Sequence, residues 1–322
     1  MFSSLRRLGI GLGAAAVLAG SAGIGLAGSA NASTTHHYSF ETLNNRADAT
    51  FNQLLGINND GVIAGYFGSG AQGHPNKGYE LWTPNTYRGE NYPHSVQTQV
   101  TGLNNRGVTV GFWSTMNTAS MSNNNFGFYS SGGKFHNVVF PTGDNASPVV
   151  DQLLGVNDHG MTVGFYTNGQ GSNRGYLYNT RMHRFTRVLV PGAPAGVAGP
   201  SLTATAINNP GDVAGFYNKT SSQVDAFLLR DGHFFTLAVP GAAMTQAFGI
   251  NDHDEIVGTY TVGSGSNAAT HGFVWREGHG FQTVDDPHGA GATTINGVNN
   301  AGDLVGFYTD AAGNTDGMLA MP

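Results

Sequence analysis

Gly56-Ile57-Asn58-Asn59-Asp60-Gly61, followed by Gly65-Tyr66, is the stretch that decides the fold, because the chain writes it six times. The other copies are Gly102-Leu103-Asn104-Asn105-Arg106-Gly107, Gly155-Val156-Asn157-Asp158-His159-Gly160, Ala206-Ile207-Asn208-Asn209-Pro210-Gly211, Gly249-Ile250-Asn251-Asp252-His253-Asp254 and Gly297-Val298-Asn299-Asn300-Ala301-Gly302. They are spaced by 46, 53, 51, 43 and 48 residues. Asn or Asp at the start of a turn bonds its own backbone two residues on, and the closing Gly supplies the positive φ of a chain reversal. Asp254 replaces that Gly once, and Asp visits the left-handed region more readily than most residues. The motif is therefore a hairpin between a first strand, A, and a second, B, and needs no catalytic role. Each B strand continues into Gly-aromatic, at Gly65-Tyr66, Gly111-Phe112, Gly164-Phe165, Gly215-Phe216 and Gly306-Phe307, with Gly258-Thr259-Tyr260 as the variant.

A polar Gly/Ser/Asn loop leads to a third strand, C, such as Gly175-Tyr176-Leu177-Tyr178 or Gly272-Phe273-Val274-Trp275. A fourth, D, ends in a Pro-Gly-Ala corner, as in Phe235-Thr236-Leu237-Ala238-Val239-Pro240-Gly241-Ala242. Four short strands per repeat of about 48 residues predict an all-β six-bladed β-propeller. The sixth copy stops at Pro322 after its C strand, while Tyr38-Ser39-Phe40-Glu41-Thr42-Leu43 carries the D pattern Phe-x-Thr-Leu. Residues 36 to 43 are therefore expected to complete the last blade and close the ring, which removes exposed sheet edges.

Around this core the composition excludes several classes. In 322 residues, Gly 49 against Pro 12 with 11% charged side chains fits neither collagen, coiled coil nor a charge-driven disordered chain. The formal charge of −6 becomes more negative once Arg6 and Arg7 leave with the leader, so a phosphate-tracking basic surface is excluded and no nucleic-acid partner is expected. Residues 1–32 read as an export signal: Arg6-Arg7, a Gly/Ala/Leu/Val stretch from Leu8 to Gly28, and Ala30-Asn31-Ala32 before the cut. That leaves 33–322 as a secreted, extracellular, monomeric propeller with no membrane span. With no cysteine it must be held by packing alone.

The pattern Gly-Ile-Asn-Asn-x-Gly-x-x-Val-Gly-aromatic, followed by His271-Gly272-Phe273 and Asp225-Ala226-Phe227, resembles the HAF repeat family of bacterial secreted proteins. The resemblance covers nearly all of 36–322 and implies export and β-repeats, without assigning catalytic residues. Lys77, Phe126, Arg174 and Asp316 depart from it where the family's histidine would stand.

In a propeller the B–C and D–A loops share one face and the A–B turns the other, and variable loops on a rigid scaffold are where binding usually sits. Two sets of aligned positions are candidates. Gln53, Gln99, Gln152, Thr203, Gln246 and Thr294, three residues before each motif, would ring the mouth of the central channel and offer hydrogen bonds to a ligand. Six like groups also suit a purely structural role. Lys77, Phe126, Arg174, Asp225, His271 and Asp316 precede the C strands and differ from copy to copy. Of these, Lys77 and Arg174 are candidate ligand contacts, and Asp225, His271 and Asp316 are candidate acid/base groups if the loops converge. Six solvated loop ends are the plainer reading of the same residues. Trp82, Trp113 and Trp275 are expected in packing between blades. No zinc or calcium pattern, phosphate loop, dinucleotide fingerprint or Gly-x-Ser-x-Gly occurs, so neither metal nor cofactor is expected. The function expected is a binding module for extracellular carbohydrate or a cell-surface polymer. The alternatives are a polysaccharide hydrolase or lyase on the loop face, and a protein-interaction scaffold.

Overall fold

The computed structural model describes residues 37–82, 85–115, 124–191 and 199–322, so the export signal expected at 1–32 lies outside the described residues. Strand β1 is Ser39–Thr42. Strands β2 to β5 are Asn52–Ile57, Ile63–Phe67, Lys77–Trp82 and Thr86–Gly89, and β6 to β9 are Gln97–Leu103, Val108–Ser114, Phe126–Ser131 and Lys134–Val138. Strands β10 to β13 are Asp151–Val156, Met161–Thr167, Asn173–Asn179 and Arg184–Arg187, and β14 to β17 are Leu202–Ile207, Val213–Asn218, Val224–Arg230 and His233–Leu237. Strands β18 to β21 are Met244–Ile250, Ile256–Val262, Ala269–Arg276 and Gly280–Thr283, and β22 to β24 are Thr293–Val298, Leu304–Thr309 and Thr315–Met321. The result is an all-β, propeller-like arrangement of small antiparallel sheets.

Four sheets have four strands: β2-β3-β4-β5, β6-β7-β8-β9, β10-β11-β12-β13 and β1-β24-β23-β22. The remaining eight strands form one sheet, in which β16 and β18 share a parallel rung between Val224 and Met244. Six separate four-stranded sheets are thus not what is found. The cause is the close approach of each new A strand to the C strand before it. Val224 N–H donates to Ala243 O at 3.2 Å and welds two meanders together. The same parallel bridge occurs alone at Asn125–Val150, Thr270–Ala292 and Phe51–Thr315. The expected terminal strand is present: β1 runs antiparallel to β24, with Ser39 opposite Met321 and Thr42 opposite Met318.

The repeated turn does two jobs. Within its own hairpin, Asn58 Oδ1 accepts from the amides of Asp60 and Val62 at 3.1 and 2.9 Å, and Gly61 closes the reversal at φ 75°. Asp254 stands in for Gly at φ 59°, as expected. Across to the next copy, Asn58 Nδ2 donates to Asn104 O, Asn104 to Asn157 O, Asn157 to Asn208 O, Asn208 to Asn251 O, Asn251 to Asn299 O, and Asn299 back to Asn58 O, at 2.8 to 3.4 Å. The residues after these asparagines make a second closed ring. The amides of Asn59, Asn105, Asp158, Asn209, Asp252 and Asn300 each donate to the Oδ1 of the next, at 2.8 to 3.0 Å. The six asparagines of the first ring are buried, and each is partnered on both side-chain atoms, as that burial requires.

Close approach at the axis explains the glycine that opens most copies. A Cβ on Gly56 would lie 3.0 Å from Gly102 Cα, and one on Gly297 would lie 3.0 Å from Gly56 Cα. Apolar packing fills the space between facing sheets. Val110, Tyr129, Val138 and Phe140 meet Leu153, Val156, Tyr166 and Tyr176, and Leu54, Ile57, Tyr79 and Leu81 meet Val305, Leu319 and Leu43.

Candidate functional site: the loop face and the axial channel

Strands B and C bring an aromatic opposite each variable residue of the second candidate set. Phe67 lies across the ladder from Lys77, Trp113 from Phe126, Tyr166 from Arg174, Tyr217 from Asp225, Tyr260 from His271 and Tyr308 from Asp316. Strand D holds these aromatics in place, and this explains the Thr of Phe-x-Thr-Leu. Tyr217, Tyr260 and Tyr308 share hydrogen bonds with Thr236, Thr283 and Thr42 at 3.0, 2.8 and 2.9 Å. Trp113 Nε1 donates to Asn137 Oδ1 at 3.0 Å in the equivalent place. Sequence reading noted the fourth-strand pattern but not its partner, because the two lie two strands apart.

Lys77, Arg174, Asp225, His271 and Asp316 each have a local partner. Lys77 Nζ donates to Val96 O at 2.9 Å, and Arg174 Nη1 donates to Gly199 O at 2.5 Å. Asp225 is buried and paired with Lys219 Nζ at 2.9 Å, with Gln223 Nε2 donating at 2.9 Å. Asp316 is buried beside Asn44, whose Nδ2 donates at 2.6 Å, and burial pushes its carboxyl above the usual range. His271 alone of the acid/base trio presents a partly open ring, stacked on Tyr260 at 5.1 Å with Nδ1 2.7 Å from Asp285 Oδ2. No hydrogen bond or ion pair links any two of Asp225, His271 and Asp316 among the described residues, so the structure does not bring the trio together. Trp82 departs from the expected packing role: it is 38% exposed, with the Arg88 guanidinium 4.4 Å from its ring centre.

The first candidate set is buried at the inner strands. Gln53 Oε1 accepts from Tyr66 at 2.8 Å, Gln99 Nε2 donates to Asn76 Oδ1 at 2.9 Å, and Thr203 Oγ1 accepts from Asn173 at 3.0 Å. Gln152, Gln246 and Thr294 are buried too. Only Gln53 and Gln99 of the six reach an axial cavity of about 60 Å³. The residues that mostly face it lie two positions later, Leu55, Thr101, Leu154, Thr205, Phe248 and Asn296. The expected polar mouth is therefore a largely apolar channel, faced by the extra residue that the β-bulge in each A strand, such as Leu54/Gly56, leaves out of the ladder.

In five of the six copies the position before the first set anchors the D–A loop, which sequence reading missed; the fourth copy has Leu202 there. Asn52 Oδ1 accepts the Asn45 amide at 2.8 Å, Thr98 Oγ1 that of Tyr92 at 3.1 Å, Thr245 Oγ1 that of Val239 at 3.0 Å, and Thr293 Oγ1 that of Asp286 at 3.1 Å. In the third copy the anchor is Asp151, fully buried, accepting from Phe140 N–H at 2.7 Å and Tyr176 O–H at 2.5 Å. Burial raises its pKa to about 7 against the lowering effect of those two bonds. The unfolded carboxyl ionises near 3.8 while the folded one keeps its proton to about 7, so stability from this group is full below pH 4 and is lost as pH rises through 7. The loss approaches ~4 kcal/mol at most. Asp151→Asn, which retains an acceptor for Phe140 N–H, is expected to melt above the parent at pH 8 and to lose that advantage at pH 4. An equal gap at both pH values would show that Asp151 does not hold its proton.

Neither a protein-family model nor a curated protein matches the chain. Among solved structures, the chain is similar to a triple arginine-to-alanine mutant of AofleA from Arthrobotrys oligospora, at 12% identity and TM-score 0.53, over 90% of this chain and 87% of that one. It is also similar to SapL1 lectin in complex with alpha methyl fucoside, at 11% identity and TM-score 0.50, over 85% of this chain and 94% of that one. At these identities the likeness is one of fold.

Proposed function

We infer that the protein is a carbohydrate-binding β-propeller of six blades, the eight-stranded sheet counting as two, and that sugar binds on its B–C/D–A loop face. It acts outside the cell, after export, as a binder rather than a catalyst. The observation that carries this reading is the partly exposed pair of Tyr260 with His271, braced by Asp285, on the loop face, whereas the equivalent Tyr166, Tyr217 and Tyr308 are buried. An aromatic ring backed by a fixed hydrogen-bonding group suits a sugar, which offers an apolar face and a rim of hydroxyls. The sugar held by SapL1 enters here only as a ligand class that this fold accommodates. The buried, locally paired Asp225 and Asp316 favour binding over turnover.

The test is retention and turnover with the chain Ser33–Pro322. The protein is passed over immobilised α-fucoside, dextran and mixed plant and algal polysaccharides, and the eluted polymers are assayed for new reducing ends. Retention on at least one glycan without release, weakened by Tyr260→Ala, is expected. Release of reducing ends or unsaturated sugars would make it an enzyme, and retention on no glycan would refute the reading.

A further inference from the structure

The third copy differs from the others in what its loop-face aromatic carries. Tyr166 lies opposite Arg174 in the ladder, and its hydroxyl accepts from Arg187 Nη2 at 3.1 Å, where four other copies place Thr or Asn. Two guanidiniums thus flank one phenol. Arg187 is exposed, its guanidinium 5.6 Å from the centre of the Phe140 ring, and Arg174 is half-buried, fixed through Nη1 to Gly199 O and, at 3.3 Å, to Pro200 O.

Neither arginine has a carboxylate partner, although all 20 acidic residues fall within the described segments. Three other cations are paired, Lys219 with Asp225, Arg230 with Asp254 and Glu277, and Arg276 with Glu255. Around the pair, Asp144 attracts Arg174 without forming an ion pair, and the buried Asp151 is engaged by Tyr176. Burial, then the like charge of Arg187, holds the Arg174 guanidinium below its usual range. Each guanidinium has five N–H donors in a planar fork, and among the described residues only Arg174 Nη1 and Arg187 Nη2 are engaged. Like charges held together with free donors are complementary to an oxyanion.

We propose that Arg187 and Arg174, with the buried Tyr166 hydroxyl positioning Arg187, form a subsite for the sulfate ester or uronate carboxylate of an acidic polysaccharide. This rests on the carbohydrate reading above and narrows its ligand class. The net charge of −6 works against indiscriminate binding of polyanions, so recognition is local to the pair. A bidentate contact from Arg187 supplies orientation as well as charge, and lysine cannot reproduce it.

The test uses the chain Ser33–Pro322 with dextran sulfate, polygalacturonate and neutral dextran, titrated at low and physiological salt. One of the two anionic polymers is expected to bind about tenfold or more tightly than dextran, with added salt weakening it. Which of the two binds identifies sulfate or carboxylate. Arg187→Gln is expected to remove about tenfold of that affinity, Arg187→Lys to restore only part of it, and Arg174→Gln with Arg187→Gln to abolish the preference. Arg187 is exposed, so its single variants test the subsite even if Arg174→Gln loosens the loop at Gly199. Anionic binding left intact in Arg187→Gln, or dextran bound as tightly as both anionic polymers, would overturn the subsite and leave the carbohydrate reading standing. Binding of no glycan in either experiment would overturn both.

Discussion

Gly306→Ala is expected to cost ~4 kcal/mol or more, enough to leave a propeller of marginal stability largely unfolded. A Cβ at Gly306 would lie 1.9 Å from Thr294 O and 3.0 Å from Ile295 Cα. The cause is the bulge between Ile295 and Gly297, which tips a carbonyl of the A strand over the B strand. The backbone must separate by more than 1 Å to relieve such an overlap, breaking ladder bonds on both sides. The same overlap recurs at Gly111 (2.0 Å from Gln99 O), Gly164 (2.0 Å from Gln152 O) and Gly258 (1.9 Å from Gln246 O), so this glycine is required in copy after copy. Gly61→Ala is the control. Its Cβ meets nothing within 4 Å, and only its φ of 75° opposes the change, at a cost of about 1–2 kcal/mol. Thermal denaturation of both variants checks this. A Gly306→Ala melting point at or above that of Gly61→Ala would show that the bulges are not as described.

A chain beginning at Asn52 is expected to be the second large loss, about 5 kcal/mol or more with aggregation on heating. Removing β1 takes away Tyr38 and Phe40, which pack against the cluster containing Val274, Val298 and Met318, and the buried Leu43. It also removes Leu43 N–H to Gly317 O at 2.9 Å, the Thr42–Tyr308 bond and the Asn44 bond to Asp316. What remains is β24 with an open edge and an apolar sequence, the hazard that ring closure removes. A synthetic peptide spanning 37–45 should restore much of the stability by binding the folded state. An unchanged melting point, with no response to the peptide, would mean that β1 contributes no closure.

Much of the fold was legible because two signals are local. Asn58 and Gly61 lie three residues apart in one hairpin, so their chemistry is readable without a partner, and so is the Phe-x-Thr-Leu match at Phe40 to Leu43. The second role of Asn58, reaching Asn104 O, depends on the register between copies, which no single repeat encodes. The union of β14–β17 with β18–β21 is of the same kind, since it turns on one rung at Val224. Side-chain destination within the site was harder still. The bulge at Leu54/Gly56 leaves Leu55 out of the ladder and turned to the axis, so Leu55, Leu154 and Phe248 line the channel where the alignment of copies suggested Gln53 and its equivalents. The acid/base trio failed for a different reason: equivalent positions in a radial repeat point away from each other, so matching in alignment does not imply meeting in space. Asp151 was passed over because an acid among Asn52, Thr98, Thr245 and Thr293 is notable only once those side chains are seen to anchor the same loop.

The pairing of the two ends of the described chain is the most direct thing to measure. Leu43 N–H donates to Gly317 O, so by antiparallel alternation Phe40 opposite Ala320 is a pair without ladder hydrogen bonds, with Cα atoms about 4.5 Å apart. A cross-strand nuclear Overhauser effect between the Hα protons of Phe40 and Ala320, joined by one between Thr42 and Met318, is the expected result. Assigned resonances for these residues showing only sequential contacts would contradict the closed ring.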